Sequence, residues 1–114
     1  MPYLKIQTNL ELSNDRKKDI LNDLVSLVSK ELDKPEKYVM AIVQDSQVML
    51  FGTTDDPLVY IEFRSIRFPE DKTKALAKSL SHFVTNRLNI EPGRIFIQFI
   101  NSDPHMWGYN ASTF

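Results

Sequence analysis

Pro2 is suited to chemistry that no internal residue can perform. Removal of the initiator Met1 is usual when a small residue or proline follows, and it leaves Pro2 with a free secondary amine on a rigid ring. An α-amino group has a reference pKa of about 7.7–8.0, and proline's secondary amine is intrinsically more basic. Desolvation disfavours the charged form and brings such a pKa toward neutrality or below. A base poised near the operating pH is what proton abstraction beside a carbonyl requires. Met-Pro is also a common way to open a protein, so the rest of the chain has to supply the pocket.

Other chemistries are poorly provided for. The absence of cysteine excludes a disulfide scaffold, a zinc-thiolate site and C-x-x-C redox chemistry. Gly52, Gly93 and Gly108 are too few and too scattered for a phosphate-cradling loop. His82 and His105 are too far apart to suggest a local metal motif, so neither a metal nor a cofactor is expected. A net charge of −1 gives no reason to expect nucleic acid or an anionic membrane as partner. With no 18-residue apolar stretch and no basic-then-apolar leader, the expectation is no membrane span, no conventional signal peptide and a cytoplasmic location.

The elements that would position Pro2 follow from periodicity. Tyr3 to Thr8 alternates, with Leu4 and Ile6 on one face, and reads as a half-buried strand. Ser13 is an N-cap candidate with Asp15 in the first turn. Ile20, Leu21, Leu24, Val25, Leu27, Val28 and Leu32 then mark an amphipathic helix that stops around Asp33-Lys34-Pro35. Val39 to Val43 is apolar on both faces and predicts a buried strand, and Val48 to Phe51 a short strand closed by Gly52 to Pro57.

The second half repeats the plan. Leu58 to Ser65 predicts a strand, and Pro69 opens a helix whose stripe is Leu76, Leu80, Phe83, Val84 and Leu88. Glu91-Pro92-Gly93 closes that segment, and Ile95 to Ile100 predicts another strand buried on both faces. Overlaid at a shift of 56 residues, Ile20 falls on Leu76, Leu24 on Leu80, Leu32 on Leu88 and Val43 on Phe99. The first strands align less cleanly, about one residue out of register. The expected fold is a single α+β domain over 1–114, a tandem β-α-β repeat with halves 2–56 and 57–114. Right-handed crossovers in both units put both helices on one sheet face. Strands apolar on both sides then leave the other face to be covered, either by further copies of the chain in a closed homo-oligomer or by a different partner.

The ordered set now resembles a known family. Pro2 leads a strand, Asp33-Lys34-Pro35 and Tyr38 follow the first helix, then come Phe51-Gly52, Ser65-Ile66 and the tail Gly108-Tyr109-Asn110-Ala111-Ser112-Thr113-Phe114. Together they resemble the macrophage migration inhibitory factor and D-dopachrome tautomerase family of the tautomerase superfamily, over essentially the whole chain. The resemblance implies a four-stranded mixed sheet with two antiparallel helices on one face, assembled as a homotrimer. It implies interconversion of keto and enol forms of phenylpyruvate-like 2-keto acids, with Pro2 as catalytic base and no cofactor. Lys34 would pair with the substrate carboxylate, and Ile66 would offer a backbone N–H with Ser65 beside it. Tyr38, Met106, Trp107 and Phe114 would line the walls.

The chain departs from the family pattern where Phe96 stands for a tyrosine and Gln98 for an asparagine. Loss of the phenol removes a donor near the reacting oxygen, so altered or reduced turnover of small aryl pyruvates is expected. Tyr109 replaces the tail tryptophan. Leu58 and Ile61 occupy the positions of the mammalian redox cysteines, which excludes thiol oxidoreductase activity. An alternative is a leaderless secreted protein that binds a host receptor with weak or vestigial tautomerase activity. A third reading, decarboxylation or dehalogenation of a small acid, calls for extra pocket arginines; Arg64, Arg67 and Arg94 are the candidates, and all read as surface charges.

Overall fold

The computed structural model describes residues 1–114. Strand β1 (Tyr3–Thr8) is followed by helix α1 (Asn14–Leu32) and strand β2 (Met40–Gln44). Strand β3 (Val59–Ile66), helix α2 (Thr73–Leu88) and strand β4 (Ile95–Ser102) form the second unit, and a small hairpin of β5 (Gly108–Tyr109) and β6 (Ser112–Thr113) ends the chain. The four long strands form one mixed sheet in the order β2-β1-β3-β4. Pairs β1–β2 and β3–β4 are parallel, as a β-α-β crossover requires, and β1–β3 is antiparallel. No helix is long and apolar enough to cross a membrane.

The repeat is present in detail. Asp33 ends α1 in the left-handed region and Asn89 ends α2 the same way. Ser29 Oγ donates to the Lys34 carbonyl, and Thr85 Oγ1 donates to the Ile90 carbonyl. A 3-10 turn over Glu36–Tyr38 precedes β2, and another over Pro92–Arg94 precedes β4. The halves differ where the first strands are out of step, because one residue fewer separates Val59 from its partner Ile95 than Tyr3 from Met40.

Ser13 caps α1 as its position suggests, its hydroxyl accepting the Arg16 N–H at 3.1 Å. The helix buries Ile20, Leu24 and Val28, and α2 buries Leu76, Leu80, Val84 and Leu88. Both stripes lie on the sheet face formed by Leu4, Ile6, Ile61 and Phe63, giving one core between helices and sheet. Helix α2 starts later than Pro69 suggests. A 3-10 turn over Glu70–Lys72 comes first, and Lys72 at the cap position offers no side-chain acceptor.

Two expectations about the strands are corrected. Val48 to Phe51 does not form a strand, since only Phe51 bridges to Thr54 and Val48 is fully exposed at 105%. Strands β2 and β4 are each buried on one face only: Met40 and Phe96 on the open face are 67% and 63% exposed. The central strands fill that open face with polar groups instead. Lys5 and Arg64 flank Glu62, Gln7 donates to Gln44, and Tyr60 donates to Gln98. Burial alone pushes the Glu62 carboxyl up, but Arg64 and Lys5 outweigh it and hold it below its usual range.

Two loops are clamped to this frame. Asp45 accepts from the Leu12 N–H at 2.9 Å and from Lys17 Nζ at 3.0 Å, tying the end of β2 to the start of α1. Arg94 is not a free surface charge: its guanidinium donates to the carbonyls of Phe51, Thr54 and Asp56 and stacks on the Phe51 ring.

Leu24→Ala removes a fully buried side chain and is expected to cost about 2–5 kcal/mol of unfolding free energy, seen as a lower denaturant midpoint at unchanged slope. The Asp45 carboxyl is lowered to about 2, chiefly by the Leu12 N–H and then by Lys17. A depressed carboxylate gives stability that is full above its ordinary value of 3.8 and is lost as pH falls toward about 2. Asp45→Asn is therefore expected to flatten the acid limb of stability against pH between those values, with Tm of wild type and variant converging at the acid end.

Candidate active site

The chain begins at the junction of two strands. The Pro2 carbonyl accepts the Met40 N–H at 3.0 Å, which extends the β1–β2 ladder by one rung. The pyrrolidine ring of Pro2 is buried, and Met1 lies half-buried over it. The amino terminus is thereby held in a fixed, partly dry place.

Lys34 arrives from the other side. The left-handed turn at Asp33 lets the Lys34 N–H reach back to the Ser29 carbonyl at 3.0 Å, and Pro35 forbids further helix. With its backbone fixed, Lys34 turns its side chain toward the end of β3. Nζ donates to Ser65 Oγ and to the Ile66 carbonyl, both at 2.9 Å. Ser65 is fully buried, and its hydroxyl also donates to the Ile66 carbonyl at 3.0 Å. An ammonium has three donors, and the third faces the Met1 amine.

These cations press on one another. The Met1 amine is lowered from 8.0 to about 6, first by burial, then by the charge and hydrogen bond of Lys34, then by Arg67. Lys34 is itself lowered, first by burial and further by Arg67, while its hydrogen bond to the terminal amine opposes the shift.

Two cavities open here, sharing Met1, Tyr38 and Tyr109. The larger, about 400 Å³, is bounded by Pro2, Lys37, Arg64 and Trp107. The other, about 280 Å³, is bounded by Lys34, Ile66, Arg67 and Phe114. The terminal hairpin supplies the aromatic wall. Its turn residues Asn110 and Ala111 are both left-handed, at φ 51° and 62°. Tyr109 meets the Tyr38 ring edge-on at 5.6 Å and stacks on Phe114 at 5.7 Å.

Of the residues singled out in the sequence, Pro2, Lys34, Tyr38, Ile66, Trp107 and Phe114 come together around these cavities, with Ser65 behind Lys34. Met106 lies outside the walls, 74% exposed. Phe96 and Gln98 are not near Pro2 in the same chain. Phe96 packs on Phe51 at 4.3 Å in a separate groove, and Gln98 accepts the Tyr60 hydroxyl at 2.8 Å. Phe96 lies toward the other end of the sheet, since Tyr3 stands opposite Arg64 while Phe96 stands opposite Tyr60, and Gln98 lies two strands across from Lys5. Four residues of strand amount to about 13 Å.

Tyr109 and Arg67 are wall residues that sequence reasoning did not include. Arg67 was read as a surface charge, yet it borders the Lys34 cavity at φ 48°, a left-handed conformation that costs a non-glycine residue about 1–2 kcal/mol. The usable signal was the pair Ile66 and Phe68, apolar and both buried on either side of it.

Comparisons with known proteins agree with this geometry. The sequence pattern of the family described as macrophage migration inhibitory factor (MIF) matches residues 1–114. The chain is 32% identical to the macrophage migration inhibitory factor of Xenopus tropicalis, over 100% of this chain and 99% of that one. It is also 32% identical to the homolog from Brugia malayi at the same coverage. Among solved structures, the homologue from Prochlorococcus marinus superposes with a TM-score of 0.92 at 31% identity, covering 98% of each chain. A pinned amino terminus, a lysine clasped at the end of β3 and an aromatic tail hairpin on a duplicated β-α-β sheet thus accompany a match over the full length, and the chain belongs to the macrophage migration inhibitory factor family, within the tautomerase superfamily.

Proposed function

We propose that this protein is a keto–enol tautomerase of 2-keto acids, with the Pro2 amine, freed by removal of Met1, as general base. The observation that carries the reading is the buried Pro2 at the mouth of a groove that also holds the Lys34 ammonium, a setting that lowers the proton affinity of the Met1 amine one residue away. Once Met1 is gone, the same burial and the same neighbouring cations act on the Pro2 amine and favour its unprotonated form. Taking Met1 away also removes one of the three residues that line both cavities, the one bonded to the Pro2 nitrogen.

The substrate carboxylate pairs with the Lys34 ammonium, aligning the carbon beside the keto group with Pro2. Pro2 takes a proton from that carbon, the C–H electron pair becomes the C=C bond of an enolate, and the carbonyl oxygen carries the charge. Donation of a proton to that oxygen gives the enol, and the reverse sequence gives the ketone. The cationic surroundings and the Ile66 N–H stabilise the enolate. Tyr38, Tyr109 and Phe114 face the organic part of the substrate.

The site is completed by assembly as a homotrimer. Exposed Met40, Ile42, Leu50 and Phe96 on the open face and the neighbouring loop support association, and a second copy is the route by which Phe96 and Gln98 reach a Pro2. Light scattering should give three times 13.2 kDa.

Mass spectrometry is expected to show Met1 absent, and Pro2→Gly to lower kcat/KM for phenylpyruvate ketonisation by about 10²–10⁴-fold with the oligomer intact. A variant with undiminished turnover rules out Pro2 as base.

A base works unprotonated, so activity rises with pH and levels off above the pKa. The expected profile of kcat/KM climbs with unit slope to a bend below the ordinary amine value of 8, because burial and then Lys34 and Arg67 disfavour a charged amine here, and is flat above it. A bend at an ordinary amine value of 8 overturns the assignment.

A further inference from the structure

We propose that Arg67, acting with Lys34, selects a 2-keto acid that carries a second carboxylate, so that this site prefers short dicarboxylates over aryl pyruvates. The inference rests on the tautomerase reading and adds the substrate class to it.

The chain has five arginines, and four are engaged. Arg16 donates to the Arg87 carbonyl, Arg64 pairs with Glu62, Arg87 pairs with Asp23, and Arg94 holds three loop carbonyls. Arg67 enters none of the four ion pairs and none of the side-chain hydrogen bonds, and it borders the cavity that contains Lys34. The partners of Lys34 are neutral oxygens, and no acidic side chain lines that cavity. Two cations are thus brought to one small space with no acidic side chain in its walls to offset them.

The backbone makes this placement rigid. Ile66 and Phe68 are both buried, so the residue between them must turn outward. The Phe68 N–H donates to Asn101 Oδ1 at 3.1 Å, and Asn101 is fixed in turn by Glu70 at 3.1 Å. The Phe68 ring packs against Phe63 at 5.1 Å and Phe99 at 5.5 Å. Arg67 is held left-handed by its neighbours' packing, and its side chain has no route into the core.

The two cations differ in what they recognise. A lysine is a point charge with rotatable donors, suited to one carboxylate beside the keto group. An arginine offers a planar fork that takes a second carboxylate through two parallel hydrogen bonds.

The test compares ketonisation of the enols of oxaloacetate and phenylpyruvate by wild type, Arg67→Gly and Arg67→Gln. The expected result is a fall of tenfold or more in the ratio of kcat/KM for oxaloacetate to that for phenylpyruvate, with the extra loss on oxaloacetate seated in KM. Arg67→Gly also lifts the left-handed strain, so its Tm should hold or rise while dicarboxylate turnover falls, which separates recognition from folding. Binding of unreactive malonate against propionate by NMR titration gives a readout independent of turnover, and the malonate preference should vanish in both variants. Equal losses on both substrates, or no change in their ratio, overturn the inference. Pro2→Gly is run alongside: if it abolishes turnover while Arg67→Gly leaves the ratio untouched, only the dicarboxylate inference falls. If Pro2→Gly leaves turnover intact, the tautomerase reading falls as well.

Discussion

The clasp from Lys34 Nζ to Ser65 Oγ and the Ile66 carbonyl joins the two halves of the repeat at the point where the chain begins. It links the end of α1, in the first half, to the end of β3, in the second. Without it Lys34 would be a solvated residue past a helix end. With it the ammonium is drawn into a partly dry corner against the terminal amine, and neither cation can be fully hydrated. Burial is the first cause of the lowered proton affinity in both. The chemistry proposed for the amine is therefore set by the geometry of a lysine that does not itself react.

The duplication shows how one half acquired this site and the other did not. The left-handed stop at Asp33 has its counterpart at Asn89, and the Ser29 hydroxyl bond to the next turn has its counterpart at Thr85. The position corresponding to Lys34 is Ile90 and, with the one-residue offset of the first strands, that corresponding to Pro2 is Val59, both buried in apolar surroundings. The same backbone device thus delivers a charge to a cavity in one half and a hydrophobic plug to the core in the other. A β-α-β unit supplies the placement, and the side chain at that position decides whether the placement is used for packing or for chemistry.

Much of this was legible in the sequence, and the exceptions have a common cause. Strand β1 and helix α1 are fixed by local periodicity and caps, and their bounds follow closely from Leu4, Ile6, Ser13 and Pro35. Val48 to Phe51 has strand composition, but a strand needs a partner, and no strand of the same chain lies beside it. Residues of β2 and β4 that look buried in sequence are open on one side for the same reason. Arg94 and Arg67 were read alike because composition does not show where a turn sends a side chain. One is caged by three carbonyls, and the other is turned out over a cavity. Lys34, Ile66 and the tail aromatics were reached through the family's ordering of motifs, since nothing in periodicity separates a clasped lysine from a solvated one.

A net charge of −1 describes the whole chain and conceals how its charges are partnered. Glu62 is shared by Lys5 and Arg64, Asp45 is taken by Lys17, and Asp23 by Arg87. These pairs neutralise cations on the open sheet face, at a loop and between the helices. None is spent on Lys34, Arg67 or the terminal amine, which press on one another in the groove at the start of the chain. Screening in physiological salt acts over about 8 Å, which is long compared with the spacing of groups lining one small cavity, so the local field survives there while the distant acids are screened out. An incoming carboxylate therefore meets a cationic pocket on a nearly neutral protein. Its arrival raises the proton affinity of every cation it touches, the base included. The amine has to be depressed well below 7 in the free protein if it is still to be unprotonated when the substrate is bound, and burial beside two uncompensated cations is the means this fold provides.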